Sequence, residues 1–252
     1  EHFGFRDGIS QPTIGGSGRK GPEEHHIKAG EFLMGYKNEY NVYPDTPVLA
    51  TVQGDTNMLP LDAAGTGKRD LGRNGSYMVM RQLQQDVDGY WTFLNEQTKN
   101  EDGTINVEAS TKLAAQMMGR WPSGAPVVKY PDKDPGGISD DDDFLYTEND
   151  PEGLKCPFGS HLRRTNPRDS FEDNNVKESL RLTRRHRIMR RARLYGDPYV
   201  GSPLNHSPDG EVGLVFTCFN ADISRQFEFI QYTWANYPKT KQLYNDPDPI
   251  CG

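Results

Sequence analysis

The chain has 252 residues, 34% of them hydrophobic, and a formal net charge of −7. That length supports one large domain or two small ones around a real core, and the low apolar share calls for long polar loops. The acidic balance argues against general nucleic-acid affinity, and no stretch approaches the roughly 20 apolar residues of a membrane-spanning helix.

Residues 1–76 read as loop-rich, punctuated by candidate turns at SQPT, GGSG, YPDTP and AAGTGKRDLGRNG. The opening EHFGFRDG places Asp7 between Gly4 and Gly8, with Phe3 and Phe5 beside it. On the residues alone, Asp7 either caps a turn or is a carboxylate set into a pocket. SYMVMRQLQQDVDGYWTFL begins with β-prone Tyr77 to Met80 and can pass from strand to helix. VEASTKLAAQMMGRWP carries Leu113, Met117 and Trp121 at helical spacing, limited by Pro122. The run Asp140–Asp143 lacks the spacing of a calcium loop and reads as a solvated loop.

HRIMRRARLYG and EVGLVFTCFNAD read as strands. Alternation in the first puts Arg190 on a face with Ile188, Ala192 and Leu194, where a guanidinium needs an anionic partner or a function. Arg191 falls on the opposite face, and one residue of slip would exchange the two. In the second, Leu214, Phe216 and Cys218 share a face. DISRQFEFIQYTWANY sets Ile223, Phe227, Ile230 and Trp234 in one helical stripe, with Asp222 as N-cap. Two strands followed by a helix indicate an α+β fold with a mostly antiparallel sheet.

Six histidines show no HExxH or clustered His/Cys spacing, which disfavours zinc. His161 sits in CPFGSHLRRTNPRD, close to Arg163, Arg164 and Arg168. One imidazole with adjacent guanidiniums suits a metal macrocycle with anionic tails; a surface histidine in a basic loop is the other reading. Cys156, Cys218 and Cys251 are odd in number and widely spaced, so no disulfide framework is expected and a reducing compartment is favoured.

The stretches GFRDG (4–8), GEFLMGY (30–36), KLAAQMMGRWPSGAP (112–126), CPFGSHLRRTNPRD (156–169), HRIMRRARLYG (186–196) and GLVFTCFNADISRQFEFIQYTWAN (213–236) stand in an order that resembles the dye-decolorizing peroxidases, a haem peroxidase family. The resemblance implies a ferredoxin-like α+β fold of the dimeric α+β barrel type. It implies a loop-rich segment over 1–110 and a haem-binding domain over 111–252. Family members extend beyond both ends of the matching region, so the chain resembles an incomplete copy.

By the same resemblance, the cofactor is haem b (iron protoporphyrin IX) with His161 as axial ligand. Asp248 is its supporting carboxylate, with Asp246 as competitor. Asp7 and Arg190 are the distal catalytic pair. Arg168, assisted by Arg164, pairs a haem propionate, and Leu214 and Phe216 wall the distal pocket. Trp234 and Tyr232 are electron-relay candidates, core packing being the commoner role for Trp234. The implied reaction reduces hydrogen peroxide at the expense of dyes, phenolics or similar one-electron donors. The rivals are a haem carrier or deferrochelatase on the same fold and an acidic calcium domain. No nucleic-acid or membrane partner is expected; an oligomer or encapsulating shell is left open. The first residue is Glu and no leader precedes it, so a cytoplasmic location is the expectation, with secretion as the alternative.

Overall fold

The computed structural model describes residues 1–252 apart from 19, 22–24, 51–57, 172–174, 240 and 242. Its main elements in chain order are β1 (Tyr77–Gln84), α1 (Val87–Thr98), α2 (Val107–Met118), α3 (His161–Thr165), α4 (Val176–Arg184), β2 (Met189–Arg190), β3 (Arg193–Tyr195) and β4 (Gly213–Asn220). A wide-wound helix follows over Ser224–Glu228 and Ile230–Ala235. Before β1 the described chain is mostly turns, with two-residue ladders joining Thr13–Ile14 to His26–Ile27 and Val48–Leu49 to Arg69–Asp70.

β4 is the centre of the antiparallel sheet, with β1 on one side and β2 and β3 on the other. Val79 and Arg190 both lie opposite Cys218. The Arg191 N–H donates to Thr217 O at 2.7 Å between the two short strands, which therefore keep one register. That register is what sends Arg190, and not Arg191, to the Cys218 face.

α1 and α2 are each started by a side chain that accepts a free amide of the first turn: Asp86 from Gly89, Asn106 from Ala109. Val87, Trp91 and Leu94 share one face of α1 and are buried against Ala114, Ala115 and Met118 of α2. The two alanines let the helix axes approach. Phe3 and Phe5 join this core, so the segment that carries Asp7 is anchored in it. A cut of that size is costly: truncating a buried Trp to Ala typically loses about 3–5 kcal/mol.

Residues 110 and 111, where the two expected segments meet, lie inside α2. Two expectations are corrected. α2 does not run on to Pro122; it stops at Gly119, a left-handed C-cap with φ 95°. The 222–235 helix starts at Asp222 as expected, its Oδ1 accepting the Arg225 amide, but it is wound wider than an α-helix, with bonds such as Glu228 N–H to Ile223 O. Buried Gln226 explains the widening. Its Oε1 accepts the amides of Ala221 and Asp222, and its Nε2 donates to the carbonyls of Glu31 and Arg187.

A Cβ on Gly119 would lie 2.7 Å from Leu162 Cβ in addition to its left-handed backbone. Gly119→Ala is therefore expected to lose at least about 1–2 kcal/mol, the backbone cost alone, in chemical denaturation. An unchanged midpoint would show that this turn does not hold α2 against α3.

Candidate functional site

Ser160 ends the Pro-Phe-Gly-Ser turn and caps α3, its Oγ accepting the Arg163 amide at 3.4 Å. His161 is thereby fixed as the first residue of that helix. Its Nδ1–H donates to Asp248, 2.9 Å from Oδ2 and 3.1 Å from Oδ1. The Asp248 side chain is fully buried and is oriented by the amides of Ile250 and Cys251. Burial alone would lower the imidazole pKa; the Asp248 charge and hydrogen bond outweigh it and raise it well above its ordinary value. Burial opposes ionisation of Asp248 too, and His161 with the two amides holds it below the ordinary carboxylate value. With Nδ1 committed, Nε2 is the nitrogen left to ligate. Asp246, the competing carboxylate, is exposed; its backbone carbonyl accepts from Arg164 and its amide donates to Pro238 O.

Asp7 lies across the same cleft. Gly4 has φ 96°, and a Cβ there would lie 2.2 Å from the Gly201 carbonyl oxygen, so the turn requires glycine. The Gly8 amide donates to Asp7 Oδ1 at 2.6 Å. Arg190 Nη1 donates to the same oxygen at 3.0 Å, and its Nη2 reaches the Ile9 carbonyl at 2.8 Å. Arg191 is exposed and bonds the Arg190 carbonyl instead. Phe5, Ile9, Met118, Leu162 and Ile250 supply the apolar lining between the two pairs.

Beside the cleft lies a charge cluster that the sequence reading did not find. Asp142, the third of the four aspartates, accepts from Arg120 at 2.7 Å, from Arg168, and from Ser10 Oγ at 2.5 Å. His25 Nε2 lies 3.0 Å from its other oxygen. Arg187 donates to His25 Nδ1 at 3.4 Å and to the Ser10 carbonyl at 2.7 Å. Since Arg187 can only donate, His25 is neutral and carries its proton on Nε2. Burial lowers the His25 pKa further than Asp142 raises it, and Arg168 and Arg187 add to the fall. Burial pushes Arg187 down to about 10, with Arg168 contributing. Asp142 stays below the ordinary carboxylate value against its own burial, chiefly because of Arg168 and His25.

Several expected roles change. Asp142 is not a solvated loop residue: its side chain is 15% exposed and answers arginines. Arg168 is 2% exposed, stacks 3.8 Å over Phe144 and donates to Asp142, Phe144 and Ser10. Arg164 donates to the carbonyls of Trp234, Ala235, Tyr237 and Asp246, pinning the loop that carries Asp248. Neither presents a free guanidinium edge to the cleft; Arg120, from the GRWP turn, does line it. Leu214 and Phe216 are half-buried and not among the lining residues; Phe216 packs on Phe227, with ring centroids 6.0 Å apart. Trp234 is buried against His186 and Phe229, whereas Tyr232 is 78% exposed. The only sequence signal for Arg120 or Asp142 was charge next to apolar turns, which is too common to be specific.

The antiparallel sheet with its flanking helices, and a histidine–carboxylate pair facing an aspartate–arginine pair, define an α+β protein of the ferredoxin-like class with a two-sided polar cleft. No family model matches the chain. It is 30% identical to Peroxidase 2 of Mycetinis scorodonius over 268 residues, covering 100% of this chain and 46% of that protein. A variant of the dye-decolorizing peroxidase of Auricularia auricula-judae superposes with a TM-score of 0.74 at 27% identity, covering 100% of this chain and 53% of that one. A dye-decolorizing peroxidase in complex with 2,6-dimethoxyphenol gives a TM-score of 0.71 at 26% identity, with the same coverage. Over its whole length the chain is similar to dye-decolorizing peroxidases. It spans about half the length of the curated relatives it matches.

The donor set fits the haem that the family implies: an imidazole with one nitrogen fixed by a buried carboxylate, facing a carboxylate–guanidinium pair. The free space between the pairs is about 90 Å3, roughly three waters' worth. Glu1 also lines the cleft, and burial, then the Asp7 charge, pushes its carboxyl above the ordinary value.

Asp248→Asn is expected to bring the His161 pKa down, since it removes the charge that outweighs burial. Histidine-resolved NMR titration of the haem-free protein reads this directly. A His161 titration unchanged by the substitution would mean that Asp248 does not control the imidazole.

Proposed function

We propose that the protein is a haem peroxidase, reducing hydrogen peroxide with electrons from dyes, phenols or similar one-electron donors. The observation that carries this reading is the facing of His161–Asp248 and Asp7–Arg190 across one cleft. A phenolic donor is suggested by the relative that holds 2,6-dimethoxyphenol. The cofactor proposed is haem b.

His161 Nε2 would hold the iron, and Asp248 would keep the imidazole oriented and electron-rich. Arg168, assisted by Arg164, would pair an anionic substituent of the haem; Arg120, which lines the cleft, shares the Asp142 carboxylate with Arg168. When bound, haem supplies the redox centre at which peroxide is reduced and from which donors are oxidised.

The chain's own part is proton handling. Asp7 takes the proton from one peroxide oxygen and returns it to the departing one. Arg190 shares Oδ1 of Asp7 and offers a fixed positive charge to the peroxide anion. The apolar lining limits water. Trp234, buried, and Tyr232, exposed, remain the proposed path for donors too bulky to enter the cleft. A haem carrier or deferrochelatase is the second reading. The Asp7–Arg190 pair favours catalysis, because carriage alone needs no general base beside a cation.

On the haem-loaded protein, Asp7→Asn is expected to slow the reaction with peroxide by on the order of 10²–10⁴ while leaving haem bound. Arg190→Leu is expected to slow it far more than Arg191→Leu, because only Arg190 touches Asp7. Stopped-flow rates across pH test both. Wild-type rates in Asp7→Asn, or the reverse ranking of the arginines, would overturn the distal assignment.

A further inference from the structure

The helix that carries His161 has five residues, too few to hold its direction unaided. His161 is its first residue, so the direction of that first turn sets where the imidazole points. The cap is weak by distance: the Arg163 amide donates to Ser160 Oγ at 3.4 Å, beyond the usual range of about 2.7–3.2 Å. Ser160 is 1% exposed, and its own amide donates to Pro157 O at 3.0 Å, which fixes the turn but not the hydroxyl.

A second partner of that hydroxyl is Cys156. Their hydrogen bond spans 3.2 Å from Oγ to Sγ, and Cys156 is also 1% exposed. Burial pushes the thiol's pKa up, and the Ser160 bond and the Arg163 charge oppose it without prevailing, so the sulfur keeps its proton at neutral pH. Cys156 is itself held on both sides. Its amide donates to Asp150 Oδ2 at 2.9 Å, and its carbonyl accepts from Arg163 Nη1 at 2.7 Å. Arg163 pairs with Asp150 at 3.0 Å and lies between the Tyr146 and Phe158 rings, 4.4 Å from each centroid. The contacts close a ring: Cys156 to Ser160, Ser160 to Arg163, Arg163 back to Cys156. One turn of helix is clamped from outside by a sulfur anchored on a buried ion pair.

We propose that Cys156 is a positioning residue for His161. Its sulfur fixes the Ser160 hydroxyl, the hydroxyl fixes the first turn of α3, and the turn sets the angle at which the imidazole meets Asp248. Cys156 does not line the cleft and acts only through Ser160. Its bearing on peroxide chemistry rests on His161 being the haem ligand; the positioning itself does not. The rival role is filling, since Cys156 packs with Val128, Phe144 and Tyr146. The two roles rank substitutions in opposite orders. Cys156→Val keeps an apolar side chain in that cluster and removes the bond. Cys156→Ser keeps a bonding group and gives up part of the filling.

NMR of the haem-free full chain reads the His161 Nδ1–H signal, through its chemical shift and its exchange with water. Cys156→Val is expected to move the signal and to speed exchange about threefold to tenfold, the worth of one ordinary hydrogen bond. Cys156→Ser should stay closer to the wild type. Ser160→Ala should match Cys156→Val, and combining the two should add nothing further, since one acts through the other. If Cys156→Val does not fold, Ser160→Ala set against Cys156→Ser carries the same comparison. A wild-type signal in Cys156→Val or Ser160→Ala, a disturbance in Cys156→Ser equal to or larger than theirs, or additive effects in the double variant would each overturn the proposal. Haem plays no part in these readings, so a failure of haem uptake would count against the ligand assignment alone.

Discussion

Asp142 is the contact on which the rest of the site depends. Among the described residues it is the one carboxylate that answers Arg120 and Arg168, and through neutral His25 it also offsets Arg187. Guanidiniums so deeply buried are tolerated only when paired and hydrogen-bonded, and removing one partner of such a pair typically costs about 3–5 kcal/mol. Ser10, bonded to Asp142 and Arg187, belongs to the same turn as Asp7. The segments that meet here, at residues 7–11, 25, 120, 142, 168 and 187–190, thus place the distal pair. Acid acts on this cluster in a definite direction. Both His25 and Asp142 have lowered folded-state pKa values, so the unfolded chain takes up protons first as pH falls, and stability declines below about pH 6.5, the free histidine value.

The proximal side has a parallel construction. Arg164 gives its donors to four backbone carbonyls and fixes the 234–248 segment against α3. Asp248 is then presented to His161 by a turn whose amides it also accepts. In both halves arginines build the scaffold, and a carboxylate is positioned by what surrounds it. Among the described arginines, only Arg190 touches the carboxylate proposed to do chemistry.

Legibility followed the range of the interaction. Strand alternation placed Arg190 and Arg191 on opposite faces, because side-chain direction in a strand is set locally. Asp222 as a helix cap and the strand-to-helix passage after Tyr77 were visible for the same reason. Asp7, His161 and Asp248 were singled out through motif resemblance, not through physics alone. Asp142 was missed because a run of four aspartates looks solvated until three distant arginines are folded around it. The excess width of the 222–235 helix was hidden too: it depends on Gln226 reaching Glu31 and Arg187, contacts nearly 200 and about 40 positions away along the chain. For Arg168 and Arg164 the sequence shows the charge but not where the donors go: to Asp142, Phe144 and Ser10 for the first, to four backbone carbonyls for the second.

The central claim is that His161, supported by Asp248, holds haem in the cleft opposite Asp7 and Arg190. Titrating the haem-free protein with ferric haem, and following the Soret band with iron content, tests it most directly. The account predicts uptake of one equivalent with a histidine-ligated spectrum in the wild type, and loss of that spectrum and of stable binding in His161→Ala. A His161→Ala protein that keeps the same band and full iron content would contradict it.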